Sequence, residues 1–219
     1  MEIKVVEYCL PDHALLDTPL LGVHHACWTP DRLYIVLGLS NQPEISLIAE
    51  TVVSDQVPVL KRPSGGETVI LSPKTLVISI LERSEQLAPS RSYFGRWNRH
   101  IIAALENLGV RNLGLKGISD IAIGPKKILG CAIYRRMDSL FYHAVLNVSE
   151  SAITIERYLR HPNREPDYRQ GRSHTEFVTS LWQEGYPLSH YEIGQSIAEQ
   201  LTDESFGGKE NHGFAADDL

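Results

Sequence analysis

The order of apolar runs constrains this fold most. Strand-like runs at Ile3–Tyr8, Leu33–Leu37, Val57–Lys61, Thr68–Leu71 and Thr75–Leu81 precede one long amphipathic stretch. Asp120–Ile123, Lys127–Arg135 and Leu140–Val148 follow it. The stretch itself, Tyr93–Leu108, repeats Trp97, Ile101, Ala104, Leu105 and Leu108 at helical spacing and stops at Gly109. Successive strands are joined by turns such as Ser64-Gly65-Gly66, Ser72-Pro73-Lys74 and Gly124-Pro125, not by regularly alternating helices. The expected class is therefore α+β: a single domain with a mixed or antiparallel sheet flanked by helices.

Shorter helices are expected at Asp12–Leu21, capped by Asp12 and disturbed by Pro19, and from Pro43-Glu44 toward Ser54. Others are expected from Ser149 or Ser151 toward Leu159, at Thr175–Trp182, and at Ser189–Leu201, where Glu192 stands three residues after the capping serine. Arg160–Arg172 reads as a polar, locally basic loop that could meet phosphates or an acidic partner. The domain is expected to span residues 1–205, with 206–219 a disordered tail.

At 219 residues, without a Pro/Gly/Ser-rich linker, the chain can bury one substantial core. Its formal net charge of -6 argues against nonspecific nucleic-acid binding. No run approaches the ~20 apolar residues of a membrane span, and the N-terminal residues lack the apolar core of a signal peptide. Cys9, Cys27 and Cys131 form neither a disulfide framework nor a metal-ligand spacing, which fits a reduced, cytoplasmic compartment. No metal-ligand set is expected among the histidines either.

Two stretches carry candidate chemistry. In the first, Arg62 stands beside Ser64-Gly65-Gly66, where bare backbone could approach a phosphate or carboxylate and a guanidinium could grip it. The same residues would also suit a hairpin turn with a surface arginine. In the second, Lys126 and Lys127 open a strand-like run after the Gly124-Pro125 turn. Adjacent strand residues face opposite sides, so one of the two can face a cleft and stabilise charge there. Cys131 lies four residues beyond Lys127 and would share its face on a regular strand, where an ammonium could activate the thiol. A small buried hydrophobe is the alternative. His143 either lines the pocket or is a hydrogen-bonded structural histidine.

Taken together and in order, these motifs resemble the lipoate–protein ligase A family of the biotin/lipoate ligase superfamily. The family's glycine loop corresponds to Lys61 through Val69 and runs on without a gap to Leu76 and Ser79. Its strand before a glycine and a glutamine corresponds to Val36-Leu37-Gly38 with Asn41-Gln42-Pro43. Its acidic segment corresponds to Ser119-Asp120-Ile121, its lysine motif to Gly124 through Ala132, and its histidine strand to His143 through Asn147. The alignment selects Lys127 over Lys126. Departures are Glu67 at the third glycine, Leu71-Ser72 at the family's His-Asp pair, and Ala144 after His143.

The resemblance implies a biotin/lipoate ligase catalytic-domain fold in a short form without the C-terminal accessory domain. It implies Lys127 and Asp120 as catalytic residues. It places Arg62, Ser64, Gly65, Gly66, Val69, Gly38, Gln42, Gly130, Ala132 and His143 at the ligand. It implies ATP with Mg²⁺, lipoic or octanoic acid as substrate, and a lipoyl-domain acceptor such as an E2 subunit or glycine cleavage H protein. A partner accessory subunit is compatible with it. ATP-independent octanoyl or lipoyl transfer through a cysteine is the alternative, and a non-catalytic protein that binds an acyl cofactor or its carrier is another.

Overall fold

The computed structural model describes residues 3–207. The tail expected from residue 206 lies outside them, except for its first two residues, which continue the last helix. The described residues form two sheets. In the smaller, β1 (Val5–Glu7) and β3 (Tyr34–Leu37) run parallel to β4 (Val59–Lys61), and β5 (Val69–Leu71) is antiparallel to β3, giving the order β1-β4-β3-β5. The larger is antiparallel throughout. Its strands are β2 (Gly22–Trp28), β6 (Thr75–Arg83), β10 (Ser139–Asn147), β9 (Lys126–Arg135), β8 (Asp120–Ile123) and β7 (Leu113–Lys116), in that spatial order. The expected α+β class with mixed and antiparallel pairing is the one observed.

Alternation along β6 and β10 divides the core. Leu76, Ile78 and Ile80, with Leu140, Tyr142, Ala144 and Leu146, pack against α3 (Ser90–Asn107). From α3, Trp97, Ile101, Ala104 and Leu105 are fully buried in this layer. Burying one large apolar side chain contributes roughly 1.5–3 kcal/mol, so this row does much to anchor the helix. Ile193, Ile197 and Leu201 of α6 (His190–Gly207) join the same cluster. The opposite face of β6 and β10 presents Val77, Ser79, His143 and Val145 toward the smaller sheet. Among the described residues, no helix is long and apolar enough to cross a membrane.

Several local expectations change. Residues Pro11–Asp17 form a 3-10 turn, and Asp12 does not cap it: its carboxylate is buried and accepts from Tyr8 Oη and Ser79 Oγ, each at 2.7 Å. The helix expected from Pro43 breaks into α1 (Pro43–Ser46) and α2 (Ala49–Ser54). Leu47 is extended there because it bridges Leu159, and Ile48 N donates to Tyr158 O at the end of α4 (Ala152–Tyr158). The helix expected over Thr175–Trp182 is the four-residue α5 (His174–Phe177), started by a Ser173/Glu176 capping box. It ends because Val178 bridges Lys127 and Thr179 N donates to Lys127 O at 2.9 Å.

Candidate active site

A cleft of about 1010 Å³ opens between the two sheets and is closed on one side by the loop around residues 160–169. Val36, Val69, Leu71, Val77 and Val145 give it an apolar wall. Polar groups enter from the glycine loop, from the β8–β9 hairpin and from β10.

The glycine loop is built around Arg62, which is 4% exposed. Its Nε donates to Ser64 Oγ (3.0 Å), Nη1 to Val36 O (3.1 Å), and Nη2 to Gly65 O and Glu67 O (2.8 Å each). Burial lowers its pKa to about 10, which leaves it cationic at neutral pH. The guanidinium expected to grip a ligand thus spends its donors on the loop's own carbonyls. It lines the cleft but acts as the loop's internal staple. Gly66, at φ +88°, abuts the end of β3: a Cβ on Gly38 would lie 1.9 Å from Gly66 O. Gly38 therefore permits the approach of two backbones, a role in loop shape. Gly38, Ser64 and Gly65 stand outside the cleft lining, contrary to their expected place at the ligand, because they form the layer that shapes Gly66.

The β8–β9 hairpin carries the second cation. Asp120 pairs with Gly130 and Ile121 with Leu129, but Ala122 pairs with Lys127, so Ile128 is an extra residue. This bulge reverses the face presented before it. On a regular strand Lys127 would share a face with Cys131. Here its side chain lies across Gly130, where a Cβ would sit 2.6 Å from Lys127 Nζ. The ammonium reaches Asp120 Oδ1 at 2.8 Å. Asp120 is 5% exposed, and its Oδ2 accepts from Tyr168 Oη at 2.9 Å. The expected sharing of a face by Lys127 and Cys131 is therefore corrected. Cys131 Sγ lies near Ser119 O (3.0 Å) and Asn98 Oδ1 of α3 (3.5 Å). Burial pushes its thiol up to about 12, so it is no activated nucleophile.

On the β10 side of the cleft, His143 Nε2 lies 2.5 Å from Ser64 Oγ, and its ring stands edge-on to Tyr8. Burial and then the charge of Arg62 lower its pKa to about 3, so it stays neutral. Gln42, Gly66, Val69, Gly130, Ala132 and His143 line the cleft with Arg62, Asp120 and Lys127, as expected. Glu67 also lines it, held by Asn41 Nδ2 at 3.4 Å. Where the family motif has a His-Asp pair, Ser72 Oγ donates to Glu150 Oε2 (2.6 Å), and Glu150 lines the cleft.

Sequence reasoning missed Tyr168, Glu150 and Asn41. Tyr168 lay inside a loop read only for its arginines. Asn41 stood next to the chosen Gln42, and it is Asn41 Oδ1 that accepts from Gly38 N and Thr68 Oγ1. Among the described residues, no group of three or more His, Cys, Asp or Glu could hold a metal ion.

The architecture is that of known lipoate ligases. A bipartite lipoate protein ligase from Thermoplasma acidophilum, studied with its E2 lipoyl domain, superposes with a TM-score of 0.76 at 18% identity, over 93% of this chain and 83% of that one. A lipoate-protein ligase A bound with ATP gives 0.74 at 19% identity, over 93% and 85%. Residues 25–202 match the lipoyl protein ligase A/B catalytic domain, and the chain belongs to that family. Lipoate-protein ligase A of Psychrobacter cryohalolentis is 28% identical over 129 residues, 58% of this chain and 36% of that protein. Lipoate–protein ligase 1 of Staphylococcus aureus is 28% identical over 131 residues, 59% and 39% respectively. The matched stretch thus spans less than two-fifths of either curated relative.

Proposed function

We propose that this chain is an ATP-dependent lipoate–protein ligase. In the first step, the carboxylate of lipoate or octanoate attacks the α-phosphate of ATP, which carries Mg²⁺, giving acyl-AMP and pyrophosphate. In the second, a lysine of an acceptor lipoyl domain, on an E2 subunit or a glycine cleavage H protein, attacks the acyl carbonyl. An amide forms and AMP leaves.

One observation carries this reading: Lys127, a cation in a largely apolar cleft, is tied to one buried carboxylate. That pairing occupies one of its three N–H bonds, and the others can meet oxygen charge that develops on phosphate or acyl carbonyl. Asp120 orients the ammonium and Gly130 clears its path. Gly66 lets a ligand approach the backbone, and the valine wall suits an alkyl chain. ATP on a ligase of the same fold supports the nucleotide, and the E2 lipoyl domain studied with another supports the acceptor. The placement and high pKa of Cys131 argue against cysteine-based transfer.

The test is mass spectrometry of an unmodified lipoyl domain incubated with the protein, Mg²⁺-ATP and lipoate or octanoate. One acyl group on one lysine, dependent on ATP and on free acid, supports the reading. Acylation without ATP from an acyl thioester donor would replace it with transferase chemistry.

A further inference from the structure

Asp120 is held at both of its oxygens. Its Oδ1 meets Lys127 Nζ at 2.8 Å from β9, and Ser119 Oγ adds a longer contact to Oδ1 at 3.4 Å. Tyr168, from the loop closing the cleft, supplies the hydrogen bond to Oδ2, from Oη at 2.9 Å. A carboxylate with one anchor can turn about its terminal torsion, which is broad; a second anchor from another direction fixes its plane. Orientation of Lys127 then depends on both anchors.

The tyrosine reaches Asp120 on a framework of its own. Its ring packs on Phe177 at 5.0 Å between centroids. Tyr168 O accepts from Arg172 Nη2 at 2.7 Å, and the same guanidinium donates to Pro125 O at 3.2 Å, tying the loop to the β8–β9 turn. Gly117, at φ +57°, lies beneath: a Cβ there would come within 3.3 Å of Pro166 Cβ and 3.8 Å of the Tyr168 ring. Removing the hydroxyl would therefore leave the ring seated. Burial, then the charge of Asp120, hold the phenol well above its usual pKa, so it stays a donor.

We propose that Tyr168 is a positioning residue: its hydroxyl fixes Asp120 and, through Asp120, aims the Lys127 ammonium at the reacting oxygens. The role in turnover rests on the ligase reading above, whereas the positioning of Lys127 can be read without turnover. The loop that closes the cleft thereby also completes the catalytic pair.

Tyr168→Phe in the full chain tests this in two ways. In acid-dependent ATP–pyrophosphate exchange, kcat falls about tenfold, as expected for a misaimed catalytic group, while KM for ATP and acid stays within about twofold. Adding Tyr168→Phe to Asp120→Asn produces no further loss. In competitive labelling with an amine-reactive anhydride, read by peptide mass spectrometry, Lys127 reacts several-fold faster relative to Lys126 than in the wild type. Unchanged relative labelling overturns the proposal whatever the activity. A rise in KM alone, or a drop in melting temperature with all lysines labelled faster, also overturns it by assigning Tyr168 to binding or packing. Failure of the wild type to exchange removes the ligase reading, and the labelling still decides the positioning of Lys127.

Discussion

Arg62 and Lys127 face the same cleft, yet one cation is spent and the other is held ready. Arg62 directs four hydrogen bonds into its own loop and β3 and is almost fully buried. Among the described residues Lys127 has one ion-pair partner, Asp120, and its side chain is 29% exposed. The β9 bulge and Gly130 permit this by laying the lysine across the strand. A charged residue in a motif shows that a cation is needed there. Whether it serves ligand or loop follows from where its donors go.

The largest effect should come from Lys127→Ala. Removing an electrostatic stabiliser from a desolvated site costs ~10²–10³-fold in rate. Steady-state acylation should fall by that amount while circular dichroism and melting temperature match the wild type. Arg62→Ala should act on the other side of the comparison. It leaves Val36 O, Gly65 O and Glu67 O without their charged donor, and stability should drop by about 3 kcal/mol, read by urea denaturation. A stable Arg62→Ala protein with an intact loop but weakened ATP binding would reverse the two roles.

The pH dependence of stability offers a sharper, smaller effect. His143 has a pKa of about 3 in the fold and 6.5 as its ordinary value, and His174 is lowered to about 4, in both cases chiefly by burial. Between those limits the unfolded chain binds protons that the folded chain refuses. Stability is therefore fully present above pH ~6.5 and declines as pH falls, by at most about 1.4 kcal/mol per pH unit for each histidine. Replacing His143 with Gln should flatten the slope of the urea midpoint between pH 4 and pH 6, a window set by these values.

Cys131→Ser should change least. With the thiol pushed up to about 12, its thiolate fraction at neutral pH is on the order of 10⁻⁵. Acylation rates should stay within about twofold, since no step of the proposed reaction needs a sulfur nucleophile. Abolished acylation in a folded Cys131→Ser protein would restore the transferase alternative.

Much of this was legible in the sequence because period reports burial. The spacing of Trp97, Ile101, Ala104 and Leu105 marked α3, and the short, nearly continuous apolar run Leu140–Val148 marked β10. Gly66 was legible because a tight loop needs a bare residue. The edge strand β2 was not, since His24 and His25 interrupt its alternation and only Val23 and Cys27 pack against the helical core. Nor was the bulge at Ile128, a backbone irregularity without a residue signature, and with it went the relation of Lys127 to Cys131. Tyr168 meets Asp120 across 48 residues of chain, a contact fixed by the turn of a loop rather than by any local pattern.

The most direct measurement is ATP–pyrophosphate exchange by the purified chain with Mg²⁺, run with lipoate, with octanoate and with no acid. The account predicts exchange that requires an acid. Absence of exchange with either acid, in a protein that is folded and binds ATP, would contradict it.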